Sequence, residues 1–371
     1  MLIDGIRHRT IRVAADGASV ELIDQRALPF EVRFETIRTH REMAAAIRDM
    51  HLRGAPLIGA AAAYGVWLAC LESEALSPPG FAAVLEAAFA TLEAARPTAV
   101  NLRWALDRQR AAVASAAGPA DAARRAFEEA NDIADGDVAI NAALGRHGAD
   151  LVERLRVERG LEVVRVLTHC NAGWLATVDR GTVTAVLYEL HERGVPLHVW
   201  VDETRPRNQG ALTSWELTQN GVPNTVICDN SGGYLMRSGR VDLILVGTDR
   251  TTRNGDVANK IGTYLKALAA RDNGLPFFVA LPSPSFDPTL PDGDAIPIEE
   301  RSPDEVLSVR GRDASGRAGY ASPYAPGTRA FNPGFDVTPA RLVTGYITER
   351  GVLDAECLAQ ALSPAPKSGV P

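Results

Sequence analysis

Cysteine is scarce in this chain, and the four that occur, Cys70, Cys170, Cys228 and Cys357, lie far apart. None stands at the short spacing that a zinc site or a small disulfide framework uses, so reduced thiols and no metal are expected. A basic excess is also missing. The net charge of -7 offers no footprint for nucleic acid or for an anionic membrane, although a local basic pocket can still hold a phosphate. Met1 to Glu21 alternates charged and apolar residues and lacks the apolar core of a signal peptide, so a cytoplasmic location is expected. One uncharged stretch, Gly54 to Cys70, approaches the length of a membrane span, but Ala and Gly dominate it and Arg53 and Glu72 bound it. It reads as a tightly packed helix of a soluble domain. No internal repeat or low-complexity domain is visible.

What is present is the composition of a globular protein. With 371 residues, 46% hydrophobic and 23% charged, the chain is long enough for two domains with sizeable cores. Short strand-like runs at Ile11 to Val13 and Ser19 to Ile23 precede Ala-rich helical segments around 41–50, 55–71, 81–95, 102–114 and 120–155. Residues 1–155 therefore read as a mainly helical domain with a small β-sheet. The seam falls where the last helix runs out at Arg159-Gly160. Residues 156–362 form the second domain, 287–340 read as long surface loops rich in Pro, Gly, Asp and Ser, and 363–371 as a frayed tail.

Five apolar runs punctuate the second domain: Val163 to Leu167, Leu197 to Val201, Thr225 to Cys228, Val241 to Gly247 and Pro276 to Leu281. Each suits a strand buried on both faces. Helical spacing lies between them, with Val183, Val186, Leu187 and Leu190 on one face, and Ile261, Leu265, Leu268 and Ala269 on another. The alternation implies an α/β fold with a mostly parallel sheet covered by helices. Ligands in such sheets bind beyond the carboxyl ends of the strands, where Cys170, Asp202, Asp229 and Asp249 fall.

Several polar segments carry candidate chemistry. Cys170, in Thr168-His169-Cys170-Asn171-Ala172-Gly173, stands at a strand tip where backbone amides can lower its pKa; the alternative is a small buried cysteine. His169 reads as a capping or packing residue. The stretch Asp202 to Gly210 crowds charged and amide side chains at another tip, able to hold hydroxyls or a phosphate, or else forming a solvated loop. Asp249 can serve as a general acid or base once desolvated, or can pair with Arg250. Asn259 and Lys260 are expected in the first turns of a helix, where amides and dipole favour an anion. Arg53-Gly54-Ala55-Pro56 and Arg96-Pro97-Thr98-Ala99-Val100-Asn101-Leu102 each set an arginine beside a Gly or Pro corner, as a phosphate clamp does.

Taken in order with Asn254 to Gly262 and Asn332-Pro333-Gly334-Phe335-Asp336-Val337-Thr338-Pro339, these segments resemble the methylthioribose-1-phosphate isomerases. Those are methionine-salvage members of the family that includes the alpha, beta and delta subunits of translation initiation factor 2B. The resemblance spans roughly residues 2–360. It implies that Cys170 and Asp249 are a catalytic pair and that Arg53, Gly54, Ala55, Arg96, Gln209, Asn259 and Lys260 bind a sugar phosphate. It also implies a Rossmann-like second domain, a homodimer, an aldose-to-ketose reaction and no metal or redox cofactor. A sister isomerase acting on 5-deoxyribose 1-phosphate or ribose 1,5-bisphosphate keeps the same residues, and a non-catalytic regulatory subunit keeps the same fold. Three features depart from the family pattern: bulky Trp174, placed where it can narrow the pocket or line the methylthio site; Arg253; and a Gly, Ala and Arg-rich loop at 309–330.

Overall fold

The computed structural model describes residues 1–97 and 99–363; Thr98 and residues 364–371 of the expected frayed tail lie outside the described residues. The chain opens with a two-stranded ribbon, β1 (Leu2–Ile3) and β2 (Ile6–Arg7). A three-stranded antiparallel sheet follows, built from β3 (Ile11–Val13), β4 (Val20–Ile23) and β5 (Phe34–Ile37). Five helices come next: α1 (His40–Arg48), α2 (Ala55–Ser73), α3 (Pro78–Ala95), α4 (Val100–Ala114) and α5 (Pro119–Glu158). Thr39 starts α1 with a capping box to Glu42, each satisfying a backbone N–H of the other's segment.

The uncharged stretch is α2. It is apolar around its whole circumference because it is enclosed on all sides, packed against α1, α3, α4 and α5. It is long and apolar enough to cross a membrane, but 83% of its apolar window is buried inside this fold. Its small residues let neighbours approach closely: a Cβ added at Gly65 would lie 2.8 Å from Leu92, and one at Gly59 3.0 Å from the Asn101 carbonyl.

Helix α5, 40 residues long, belongs to two cores. Ala122 to Ala134 pack into the first helical core, whereas Leu144, Ala149 and Val152 pack into the core of the central sheet. Beyond it the chain alternates β6 (Val164–Thr168), α6 (Val183–Glu192), β7 (Leu197–Asp202), α7 (Gln209–Gln219), β8 (Asn224–Ile227), α8 (Ser231–Arg237) and β9 (Leu243–Val246). Then come β10 (Arg250–Thr252), β11 (Val257–Lys260), α9 (Thr263–Asp272), β12 (Phe277–Ala280), β13 (Phe286–Asp287) and α10 (Asp304–Leu307). The last elements are β14 (Val309–Arg312), β15 (Ala318–Ala321), β16 (Phe335–Thr338), β17 (Gly345–Thr348), β18 (Gly351–Leu353) and α11 (Ala355–Leu362).

The central sheet has the order β18-β17-β12-β9-β6-β7-β8 and is parallel throughout except at β18. Helices α5 and α6 cover one face, and α8, α9 and α11 the other. This is the α/β architecture expected, with a mainly helical first part and a mostly parallel sheet.

Four sequence expectations need correction. The Thr225 to Cys228 run is the edge strand β8, and Val226 is exposed rather than buried on both faces. Helix α9 buries Thr263, Lys266, Ala267 and Ala270 and turns Leu265 and Leu268 outward, the reverse of the face assigned from spacing. Residues 287–340 are not only loops: β16 pairs with β11, and β14 with β15 forms a hairpin. Asn259 and Lys260 lie on strand β11, not in a helix. Asn254-Gly255 turns the chain back, with Gly255 at φ 90°, so that β10 and β11 pair antiparallel and the helix begins only at Thr263.

Candidate active site

The carboxyl ends of β6, β7 and β9 meet the amino end of α2 and the strand β11. Each side chain arrives there for a local reason. Cys170 sits two residues past β6 in a left-handed conformation, φ 68°, with its N–H donating to Thr204 Oγ1 at 2.8 Å. Asp249 follows β9, and its N–H donates to the Ala258 carbonyl at 3.0 Å, which ties this turn to β11. Strand β11 supplies Asn259 and Lys260. Gly54 caps α2 at φ 102°, and an added Cβ would lie 2.4 Å from the Ala176 backbone, so only glycine fits. Arg53 and Ala55 flank it, Arg96 follows α3, and Gln209 opens α7.

All nine residues named from sequence, Arg53, Gly54, Ala55, Arg96, Cys170, Gln209, Asp249, Asn259 and Lys260, line one cavity. Beside Asp249 the cavity adjoins an apolar flank that includes Ile58, Ala99, Ile296, Pro297 and Ile298. Past Arg53 and Gln209 it adjoins an outer hollow walled by Leu28, Phe30, Pro206 and Tyr320.

Electrostatics in this cavity are set by burial. Desolvation pushes the Cys170 thiol up, and the Lys260 and Arg53 cations offset only part of it. This reverses the sequence expectation of a lowered thiol: the strand-tip amides count for less than the enclosure. Burial likewise raises the Asp249 carboxyl, with Lys260, Arg96 and Arg53 pulling the other way. It lowers the Lys260 ammonium. That ammonium donates to the Gly334 carbonyl at 2.9 Å and stands 4.7 Å above the Phe335 ring.

The arginines are under-used by the protein itself. Arg53 Nε and Arg96 Nε and Nη1 are buried without a hydrogen-bond partner, and so is Gln209 Oε1. Arg96 Nη2 reaches only 3.9 Å from Glu299. Buried donors left open are costly unless a ligand completes them, and planar guanidinium groups match an oxyanion such as phosphate. The amino end of α2 adds backbone N–H groups and the positive end of its dipole on the same side. The helix terminus that faces the cavity is thus that of α2, and not one at Asn259 and Lys260.

Other sequence candidates go elsewhere. His169 bridges Asp202, 2.8 Å from Nδ1, and the Ile261 carbonyl, 2.8 Å from Nε2, so it ties two strand tips together. Arg205 donates to the backbone carbonyls of Pro206, Val306 and Ser308 and fastens the loop around α10. Trp174 is fully buried among Met1, Ile3, Ile23, Leu28 and Leu175 and does not line the cavity, so neither role expected of it holds. Arg253 is exposed. Among the described residues, His169, Asp202 and Asp229 stand close enough to share a metal ion. Lys266 already supplies the cation there, 3.1 Å from Asp202 and bonded to the Asp229 carbonyl.

Sequence reasoning passed over Met50, Thr248, Arg301 and Phe335 in the lining. Phe335 belongs to the Asn332 to Pro339 motif, whereas Arg301 lies in the Pro, Gly, Asp and Ser-rich stretch 287–340.

Known proteins share this fold. A model of the initiation factor 2 subunit family matches residues 51–355. A methylthioribose-1-phosphate isomerase from Rhodospirillum centenum is 56% identical over 357 residues, covering 96% of this chain and 93% of that one. The structure of 5-methylthioribose 1-phosphate isomerase from Pyrococcus horikoshii OT3 aligns with a TM-score of 0.83 at 42% identity, covering 96% of both chains. That of translation initiation factor eIF-2B, subunit delta, from A. fulgidus aligns with a TM-score of 0.79 at 36% identity, covering 96% of this chain and 99% of that chain.

Proposed function

Because the chain belongs to the initiation factor 2 subunit family and to its methylthioribose-1-phosphate isomerases, we propose that it converts 5-methylthio-D-ribose 1-phosphate to 5-methylthio-D-ribulose 1-phosphate in methionine salvage. One observation carries this reading beyond the family likeness. Unpartnered guanidinium N–H groups of Arg53 and Arg96 line the same enclosed cavity as a thiol and a carboxyl. A regulatory subunit has no need of that combination.

The bonds dictate what the residues must do. Phosphate on C1 locks the sugar as a glycosyl phosphate, so the ring must open before the hydrogen moves. The C1–O4 bond breaks, O4 takes a proton, C1 gains a hydrogen and C2 becomes a carbonyl. Asp249, held toward its protonated form by burial, is the acid for O4. Its carboxylate then accepts the proton of the C2 hydroxyl. Arg53, Arg96, Lys260 and the α2 amides hold the phosphate and fix the sugar over Cys170. Burial also keeps Cys170 toward the thiol, in which form it assists passage of the C2 hydrogen to C1 with its electron pair by packing against the reacting carbons and keeping water from them. A Cys170 thiolate would instead remove it as a proton and pass through an enediol. Deuterium from D2O at C1 of the product would overturn the hydride route.

An uncharged methylthio group suits the Ile58, Ala99, Ile296 and Ile298 flank better than a second phosphate does. Comparing kcat/KM for 5-methylthioribose 1-phosphate, 5-deoxyribose 1-phosphate and ribose 1,5-bisphosphate tests the substrate. Preference for the bisphosphate would move the protein to another pathway with its chemistry unchanged. The reaction would run in the cytoplasm, on a homodimer.

A further inference from the structure

Behind Arg53 a buried polar chain runs from Asn171, which lines the same cavity, back to Thr213 and Glu216, which do not. Arg53 Nη1 donates to the Asn171 backbone carbonyl at 2.9 Å, and Nη2 donates to Asn171 Oδ1. The amide nitrogen of Asn171 points the other way, donating to Glu216 Oε1 at 2.7 Å and to Thr213 Oγ1 at 2.9 Å. Glu216 is fully buried in the middle of α7. Its carboxylate also accepts the N–H of Trp174 at 2.7 Å and that of Leu175 at 3.1 Å. Thr213 Oγ1 in turn donates to the Cys170 carbonyl at 2.8 Å. There is no slack in this arrangement, since a Cβ added to Gly173 would lie 2.2 Å from Glu216 Oε2.

The chemistry of each group fixes its neighbour. A carboxylate only accepts hydrogen bonds, so Glu216 demands the NH2 side of the Asn171 amide. The amide oxygen is thereby turned toward Arg53, the orientation a guanidinium needs. A carboxylate in the place of Asn171 would grip Arg53 as well but would neutralise it. A neutral amide holds the guanidinium while leaving its charge, and its unpartnered Nε–H, for a ligand.

We propose that Glu216 is a positioning residue: through the Asn171 amide it holds Arg53 in the pose that takes the substrate phosphate. This rests on the reading of Arg53 as a phosphate ligand given above. It concerns affinity for the oxyanion, not the proton transfers.

The test is a double-mutant cycle on the full-length protein, with inorganic phosphate as the probe and its dissociation constant measured by phosphorus NMR titration. Glu216→Gln, whose amide can no longer enforce the Asn171 orientation, is expected to weaken phosphate roughly tenfold, as loss of a well-set hydrogen bond to a charged group does. KM for the sugar phosphate should rise by a similar factor, with the loss falling in KM rather than kcat. In an Arg53→Gln background the same change should do almost nothing. A merely structural role for Glu216 would give equal losses with and without Arg53, and that result overturns the proposal. Unchanged phosphate binding in Glu216→Gln beside a weakened Arg53→Gln also overturns it while leaving Arg53 as the ligand. Unchanged binding in Arg53→Gln itself overturns both. Should Glu216→Gln not fold, Asn171→Asp, which places a carboxylate against Arg53, is expected to weaken phosphate comparably, and undiminished binding there contradicts the proposal.

Discussion

Cys170 and Asp249 line one cavity, and enclosure, more than any neighbour, sets the state of both. Cys170→Ser is expected to lower kcat by roughly a hundredfold or more with little change in KM, because the change falls at the reacting carbons and not at the phosphate. Turnover equal to wild type in that variant would remove Cys170 from the chemistry. For Asp249 the sign follows from its raised pKa: the acid form is full at low pH and is lost as pH climbs through that pKa. The kcat profile should therefore fall on its alkaline side, at a pH above the ordinary carboxylate range, and Asp249→Asn should erase both the limb and most of the rate. Lys260 titrates in the same direction, its charge vanishing below the usual lysine range because burial lowers its pKa. KM should rise there while the kcat limb lies elsewhere. At this scale each polar segment is weak alone, and it is their order along the chain, through the family resemblance, that picks out the nine residues lining the cavity. Glu216 is not legible in that way: a glutamate in mid-helix gives no sign that its carboxylate faces inward.

The elements explain why local sequence pattern misplaces some residues. Asn259 and Lys260 follow apolar Val257 and Ala258 and precede the helical spacing of α9, so a helix could be extended back over them. What decides against it is pairing with β16, Asn259 facing Asp336 and Lys260 facing Phe335 far along the chain, which no local pattern reveals. The long helix α5 offers an opposed pair of substitutions. A Cβ at Gly136 meets nothing within 4 Å, so Gly136→Ala should stabilise by about 0.5–1 kcal/mol through helix propensity alone. A Cβ at Gly148 would lie 2.4 Å from Val186 of α6, so Gly148→Ala should cost about 1–3 kcal/mol. Thermal unfolding of the two variants should shift in opposite directions. A shift of the same sign in both would show that α5 does not pack on α6 as described.

For the whole molecule, the α/β class and five of the seven central strands follow from continuous apolar runs separated by helical spacing, whereas the short strands β17 and β18 do not. The side of α9 that faces solvent does not follow either, because Leu265 and Leu268 look like core residues. They and Tyr234 of the adjoining α8 are 61%, 37% and 67% exposed, and on the proposed homodimer this is the apolar surface expected to be covered. Light scattering should give twice the 39.6 kDa chain mass, and Leu265→Glu should shift that toward the monomer; a wild-type monomer would remove the homodimer. The most direct measurement is a phosphorus and proton NMR time course of the wild-type protein with 5-methylthioribose 1-phosphate. The glycosyl phosphate resonance should decline as that of the ketose 1-phosphate appears. A folded protein that binds phosphate yet leaves the sugar unchanged would contradict the isomerase reading and turn the cavity into a regulatory binding site.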